Sequence, residues 1–197
     1  MSSESLRIAL TGGIACGKSL FAKFLRELGV WTLDADDIVH ELVPYDERRR
    51  LAAVVFNDPA ARKVLEARIH PLVKARFDAW FTSPNPHPPQ TSHPPQTSQT
   101  SQTPILKLAI IPLLFECKWD GDYDIILCIS SPVAEQMRRM VETRGMTRTE
   151  AEARLNAQLP QDEKIARSHY VVVNDSTPEH LREEAVRCVE WLRTRQH

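Results

Sequence analysis

Eight residues near the N-terminus constrain this chain more than any others. Gly12-Gly13-Ile14-Ala15-Cys16-Gly17-Lys18-Ser19 has the form G-x-x-x-x-G-K-[ST], and it holds three of the six glycines in 197 residues. The octapeptide stands between a run with strand character, Leu6-Arg7-Ile8-Ala9-Leu10, and a helix predicted from about Gly17 to Leu28 with Leu20, Phe21, Phe24, Leu25 and Leu28 on one face. In that setting the backbone N–H groups of the loop and the helix N-terminus wrap a phosphate. Gly12, Gly13, Ile14, Ala15, Cys16, Gly17, Lys18 and Ser19 are therefore the candidate nucleotide-binding residues. Lys18 is placed to reach the β and γ phosphates, and the Ser19 hydroxyl to ligate Mg2+. Cys16 fills an arbitrary position of the motif and needs no chemical role.

A strand, a glycine-rich loop and a helix imply an α/β fold, and the rest of the chain continues the alternation. Val30–Leu33, Ile105–Ile111, Tyr123–Ile129 and Tyr170–Val173 read as short, fully buried strands. Helical periodicity fills Asp36–Leu42, Glu47–Phe56, Pro59–Phe81 with a break near His70-Pro71, Pro132–Thr143, Thr147–Leu159 and Thr177–Arg195. Apolar strands alternating with helices predict a parallel five-stranded sheet covered on both faces, a three-layer α/β/α sandwich. The single domain spans 1–197, with a small helical substrate subdomain at 37–82, a low-complexity insertion at 83–104 and a helical lid at 138–167. The insertion carries the hexapeptide His-Pro-Pro-Gln-Thr-Ser twice, at 87 and 93. With no apolar side chain between Pro84 and Thr103 to bury, it reads as a surface loop.

Charge excludes some partners. Against 25 Lys and Arg stand 26 Asp and Glu, a formal net charge of −1, so no global field holds nucleic acid or an anionic membrane. The longest apolar run, Ile105 to Phe115, contains Lys107 and is too short to cross a bilayer, which takes about 20 residues. Met1-Ser2-Ser3-Glu4-Ser5 lacks a basic stretch, which leads us to expect a cytoplasmic protein. Cys16, Cys117, Cys128 and Cys188 show no zinc-ligand spacing and are expected to be reduced.

A phosphate loop alone defines only a nucleotide binder. The next clue is Leu33-Asp34-Ala35-Asp36-Asp37, at the C-terminal end of the second strand and on the sheet edge where ligands of open α/β sheets collect. A carboxylate there can accept the proton of an attacking hydroxyl or hold Mg2+. Asp34 or Asp36 can equally cap the following helix. The basic run Arg138, Arg139, Arg144, Arg148, Arg154, Lys164 and Arg167 has two readings: a solvated helix face, or a lid that brings cations over a transferring phosphoryl group. His70 is either a packing residue or a substrate contact. Asn174, after the last strand, is either a turn starter or part of a base pocket.

Taken in order, Leu10 to Ser19, Asp34-Ala35-Asp36, His70-Pro71, Pro112-Leu113-Leu114-Phe115-Glu116, Arg154 with Gln158 and Lys164, and Asn174 closely resemble the dephospho-coenzyme A kinase family, from about residue 6 to 194. The resemblance implies a P-loop kinase fold and ATP-dependent phosphorylation of the ribose 3′-hydroxyl of dephospho-coenzyme A, the last step of coenzyme A synthesis. It implies ATP and Mg2+, with dephospho-coenzyme A as partner and a monomer or weak homo-oligomer. The second Asp of the Asp-Ala-Asp motif, Asp36, becomes the base; Lys18 and Arg139 act on the phosphates; Ser19 and Asp34 hold Mg2+; Arg144 and Asn174 join the nucleotide site. Between Val43 and Glu47 the chain lacks a stretch that the family uses in its coenzyme-binding subdomain. Alternatives from the residues alone are another metabolite or nucleoside kinase, or a catalytically silent nucleotide-binding regulator.

Overall fold

Strands buried on both faces need mostly apolar residues, and the sheet shows this, with polar residues such as Thr11, Lys107 and Ser130 at or next to strand ends. Its strands are β1 (Ile8–Gly12), β2 (Trp31–Asp34), β3 (Lys107–Ile110), β4 (Ile125–Ser130) and β5 (Tyr170–Val173). Three of them, β1, β3 and β4, are buried along their whole length. The computed structural model describes residues 6–43, 59–83 and 105–195. All pairings are parallel, in the order β2-β3-β1-β4-β5.

Alternation along each strand separates two cores. Ile8, Leu10, Leu108, Ile110, Ile125, Leu127 and Ile129 face α1 (Lys18–Glu27) and the C-terminal helix α7 (Pro178–Arg193). Ala9, Leu33, Ala109 and Ile126 face the other way, toward Ile38 of α2 (Ala35–Leu42) and Val73, Phe77, Trp80 and Phe81 of α3 (Pro59–Thr82). The three-layer α/β/α architecture read from the sequence is the one observed. After β4 come α4 (Val133–Arg138), a π-helical turn (Arg139–Thr143), α5 (Arg148–Asn156) and α6 (Gln161–Ala166). A third, small cluster joins this segment to the glycine loop: Met140 and Ala151 pack on Ala15, with Ile14, Met137, Met146 and Leu155 around them.

Three local expectations are corrected. Helix α3 runs unbroken through Pro71. Proline removes one donor, but both Pro71 and Ala67, whose carbonyl loses its partner, are exposed to water, while Val73, Phe77 and Trp80 bury the same helix against the sheet. The helix expected over Pro132–Thr143 changes to π geometry at Arg139, and the segment after α5 contains the extra helix α6. The expected helix Glu47–Phe56, the shortened segment after Val43 and the repeat-bearing insertion from Pro84 lie outside the described residues.

Two side chains hold elements to the sheet edges. Lys107 is buried at the start of β3 and donates to the carbonyls of Trp80, Phe81 and Ser83 at 2.8, 3.1 and 2.7 Å, so it caps the C-terminus of α3. Arg7 pairs with Asp78 at 2.5 Å and lies over the Phe81 ring, 5.0 Å from its centre.

Candidate active site

Parallel strands deliver all their C-terminal ends to one edge, and the glycine-rich loop, Asp34 and Asn174 stand there, at the ends of β1, β2 and β5. The loop leaves β1 at Gly12, whose φ is +146°; a Cβ at that position would stand 2.2 Å from the Ile129 carbonyl oxygen, so the close approach of β1 to β4 requires glycine. Gly17 precedes α1 with φ +97°, and a Cβ there would meet Asn174 Nδ2 at 2.3 Å. Between them Ala15 takes a left-handed turn with φ 57°. Lys18 folds back along the loop and donates to the carbonyls of Gly12 and Gly13, each at 2.8 Å. Burial lowers its pKa, an effect partly opposed by the neighbouring Cys16 and Asp34. Ser19 is exposed on the first turn of α1.

Loop residues 14–16 are gripped by side chains from the segments that follow β4 and β5. Gln136 donates to the Ile14 carbonyl at 2.7 Å, Arg139 to the Ala15 carbonyl at 3.2 Å, and Asn174 Nδ2 to the Cys16 carbonyl at 2.8 Å. In the other direction the Ile14 N–H donates to Gln158 Oε1 at 2.8 Å. The Cys16 thiol donates to Gln161 Oε1 at 3.2 Å and accepts from Gln136 Nε2 at 3.1 Å. Its burial raises its pKa, which keeps it a protonated packing and hydrogen-bonding group. All four cysteines are free, as expected. Gln136 and Gln161 had no part in the sequence reading. They are uncharged, carry no motif and acquire a role only because α4 and α6 fold over the loop.

At the neighbouring strand end, Asp34 closes β2 and caps α2, accepting the Asp36 N–H at 2.9 Å. The capping reading of Asp34 therefore holds together with its place on the sheet edge. Burial pushes its carboxyl up to about 6, helped by Asp36 and Asp37 and opposed by its cap bond and Lys18. Asp36 is exposed two residues further on, in the first turn of α2.

The basic run divides into distinct environments. Arg139, with a side chain only 19% exposed, pairs with Glu135 at 2.8 Å and also reaches the Asn174 carbonyl at 3.3 Å, bridging the phosphate loop and the end of β5. Arg138 pairs with Glu135 and Glu142 on the surface, and Arg148 with Glu152. Arg144 and Arg154 are exposed. Lys164 and Arg167 depart from the lid grouping. Lys164 is fully buried, 2.7 Å from Glu116 and 3.3 Å from the Pro112 carbonyl, while Arg167 pairs with Asp120 and covers the Phe115 ring. Both fasten the Pro112–Glu116 turn to α6, because a buried ammonium needs a carboxylate and a carbonyl to replace water. His70 sits in the middle of α3, edge-on to Trp119 with ring centres 5.1 Å apart, a packing position. Asn174 is buried with its amide committed to the loop backbone, so it braces the phosphate loop where a base-pocket contact had been expected as one reading.

A glycine loop wrapped around the N-terminus of α1, on a parallel sheet of order β2-β3-β1-β4-β5, defines a P-loop phosphotransferase fold. Shikimate kinase from Acinetobacter baumannii superposes with a TM-score of 0.55 at 14% identity, covering 98% of this chain and 96% of that one, a likeness of fold alone. Closer relatives narrow the class. The family model for dephospho-CoA kinase matches residues 6–48 and 45–180, two matches that overlap at 45–48. Dephospho-CoA kinase from Anaeromyxobacter dehalogenans is 34% identical over 94% of this chain and 92% of its own length, and that from Geobacillus kaustophilus 32% identical over 95% and 97%. The crystal structure of TT1252 from Thermus thermophilus superposes with a TM-score of 0.72 at 31% identity, over 94% of this chain and 96% of that one. The chain belongs to the dephospho-CoA kinase family.

Proposed function

We propose that the protein transfers the γ-phosphoryl group of ATP to the ribose 3′-hydroxyl of dephospho-coenzyme A. Family membership supplies the substrate pair, and one observation carries the chemistry: Asp34 and Asp36 emerge from β2 at the same sheet edge as the P-loop, with Asp34 close enough to Lys18 for their charges to interact. Loop N–H groups and Lys18 hold the phosphates. On nucleotide binding the Lys18 ammonium leaves two backbone carbonyls for anionic phosphate oxygens, a charge-assisted exchange. Arg139 stands at the loop to balance charge on the transferring group, and the exposed Arg144, just after the π-helical turn, is assigned to the nucleotide on the family resemblance alone. Asp36, solvent-facing and held at the first turn of α2, takes the proton of the attacking hydroxyl. The segment 138–160, without Lys164 and Arg167, forms the lid.

The donor set suits Mg2+. Ser19 offers a free hydroxyl and Asp34 a carboxylate whose raised pKa marks a negative charge short of compensation, both hard oxygen donors. Bound there, the ion neutralises charge on the phosphate oxygens. The test is an ADP-release assay with ATP and a panel of acceptors: dephospho-coenzyme A, adenosine, nucleoside monophosphates and sugar acids. Turnover with dephospho-coenzyme A at least tenfold above every other acceptor supports the reading, an estimate set by the selectivity a polar-substrate site commonly reaches. Preference for another acceptor overturns it.

A further inference from the structure

Gln158 lies just beyond the end of α5, in the segment leading to α6, and is the residue by which this arm of the chain touches the N–H of a phosphate-loop residue. Its Oε1 accepts the Ile14 N–H at 2.8 Å. That contact fixes the amide's orientation, because the flipped amide would set two donors against each other. Gln158 Oε1 is therefore committed to the loop and Nε2 is left as a directed donor. The residue lines a small pocket of about 240 Å³ with Ile14, Leu113, Glu116, Arg154 and Ala157.

Both ends of this arrangement are anchored. Ile14 is held on its carbonyl by Gln136, so the Ile14 peptide has one glutamine on its N–H and another on its carbonyl. The chain next to Gln158 is tied to the sheet edge: the Leu159 N–H donates to Glu116 Oε1 at 3.0 Å, and the same carboxylate holds the buried Lys164. Position is thus passed from β3, through the Pro112–Glu116 turn, to Leu159, Gln158 and the loop. Arg154 stands four residues before Gln158 and rims the same pocket, so its placement depends on the same anchor.

We propose that Gln158 is a positioning residue for phosphoryl transfer, which couples the α5 arm to the phosphate loop through the Ile14 N–H and thereby sets the loop and Arg154 in register with the bound phosphates. The inference rests on the kinase reading above. Its physical basis is that transfer tolerates little misplacement of reacting groups, whereas binding tolerates more. Gln158 makes no core contact that its loss would empty, so its removal is expected to act on rate more than on stability.

The test compares Gln158→Met, which keeps length but cannot accept, with Gln158→Glu, which retains an accepting oxygen, in the full chain. Hydrogen exchange at the Ile14 amide, thermal melting and steady-state kinetics are read together. For Gln158→Met we expect faster Ile14 exchange and a kcat lower by about tenfold or more. KM for ATP should change by less than about threefold, and Tm by no more than about 2 °C. Gln158→Glu should restore Ile14 protection and recover at least part of kcat. The proposal is overturned if Gln158→Met exchanges normally at Ile14, if kcat survives the loss of protection, if Gln158→Glu restores protection without rate, or if the rate loss follows a matching fall in Tm. Should the wild-type chain fail to phosphorylate dephospho-coenzyme A, the kinase reading fails on its own assay, while the exchange measurement still reports whether Gln158 holds the loop.

Discussion

In the proposed function Lys18 concentrates the chemistry of the site in one side chain that contributes little to the core. It is half-buried against the carbonyls of Gly12 and Gly13 and belongs to none of the apolar clusters, so Lys18→Ala should abolish transfer while the far-ultraviolet circular dichroism and the melting transition stay native; near-normal turnover would remove the P-loop from the mechanism. Asp36→Asn should lower kcat by about 10² or more with little change in ATP affinity, the usual scale for losing a general base. If Asp34→Asn is much the more damaging, the two carboxylates exchange roles. Asp34 also supports a prediction with opposite signs for stability and activity. Its carboxyl is pushed from 3.8 to about 6 in the folded chain, so the folded state gains from protonation below the ordinary value and loses that gain as the pH rises through 6. Asparagine carries no charge and still caps a helix. Nucleotide-free Asp34→Asn protein should therefore melt higher than wild type at pH 8, and this advantage should fade by pH 4. An equal advantage at both pH values would assign it to packing.

Among the elements, α3 shows how far packing overrides a local rule. His70-Pro71 reads as a helix break because proline lacks a donor, and from sequence there was no means of knowing that the freed carbonyl would face water. Lys107 is the converse case: a charge inside an apolar strand looks like an interruption, yet it satisfies three carbonyls at the end of α3. Lys107→Met should keep the volume but strand those acceptors, destabilising the protein by about 2 kcal/mol or more in urea titrations. An unchanged midpoint would mean that water takes the place of the ammonium. The elements after β4 were legible as helices and as basic, but their division was not. Lys164 and Arg154 look alike on a helical repeat, and only the placement of Glu116 makes one a buried anchor and leaves the other at a pocket rim.

For the molecule as a whole, Lys107 brings together the chain before and after the Pro/Gln/Thr/Ser segment, since its ammonium lies 2.7 Å from the Ser83 carbonyl. A short Gly/Ser linker can join ends that close. Replacing 84–103 with one should change stability by less than about 1 kcal/mol, because closure entropy varies with the logarithm of loop length. A tenfold loss of activity would instead place the segment in substrate binding or lid closure. The amino-acid sequence by itself determined the sheet, the glycine-rich loop and the place of Asp34-Ala35-Asp36 at the end of β2, because buried strands, a tight turn into a helix and a strand-end carboxylate each demand particular residue types within a few positions of one another. What only the tertiary structure decided is the grip on the loop. Gln136, Gln158, Gln161 and Asn174 meet residues 14–16 across more than a hundred positions of chain, and uncharged amides carry no periodicity or charge pattern by which such long-range hydrogen bonds can be foreseen.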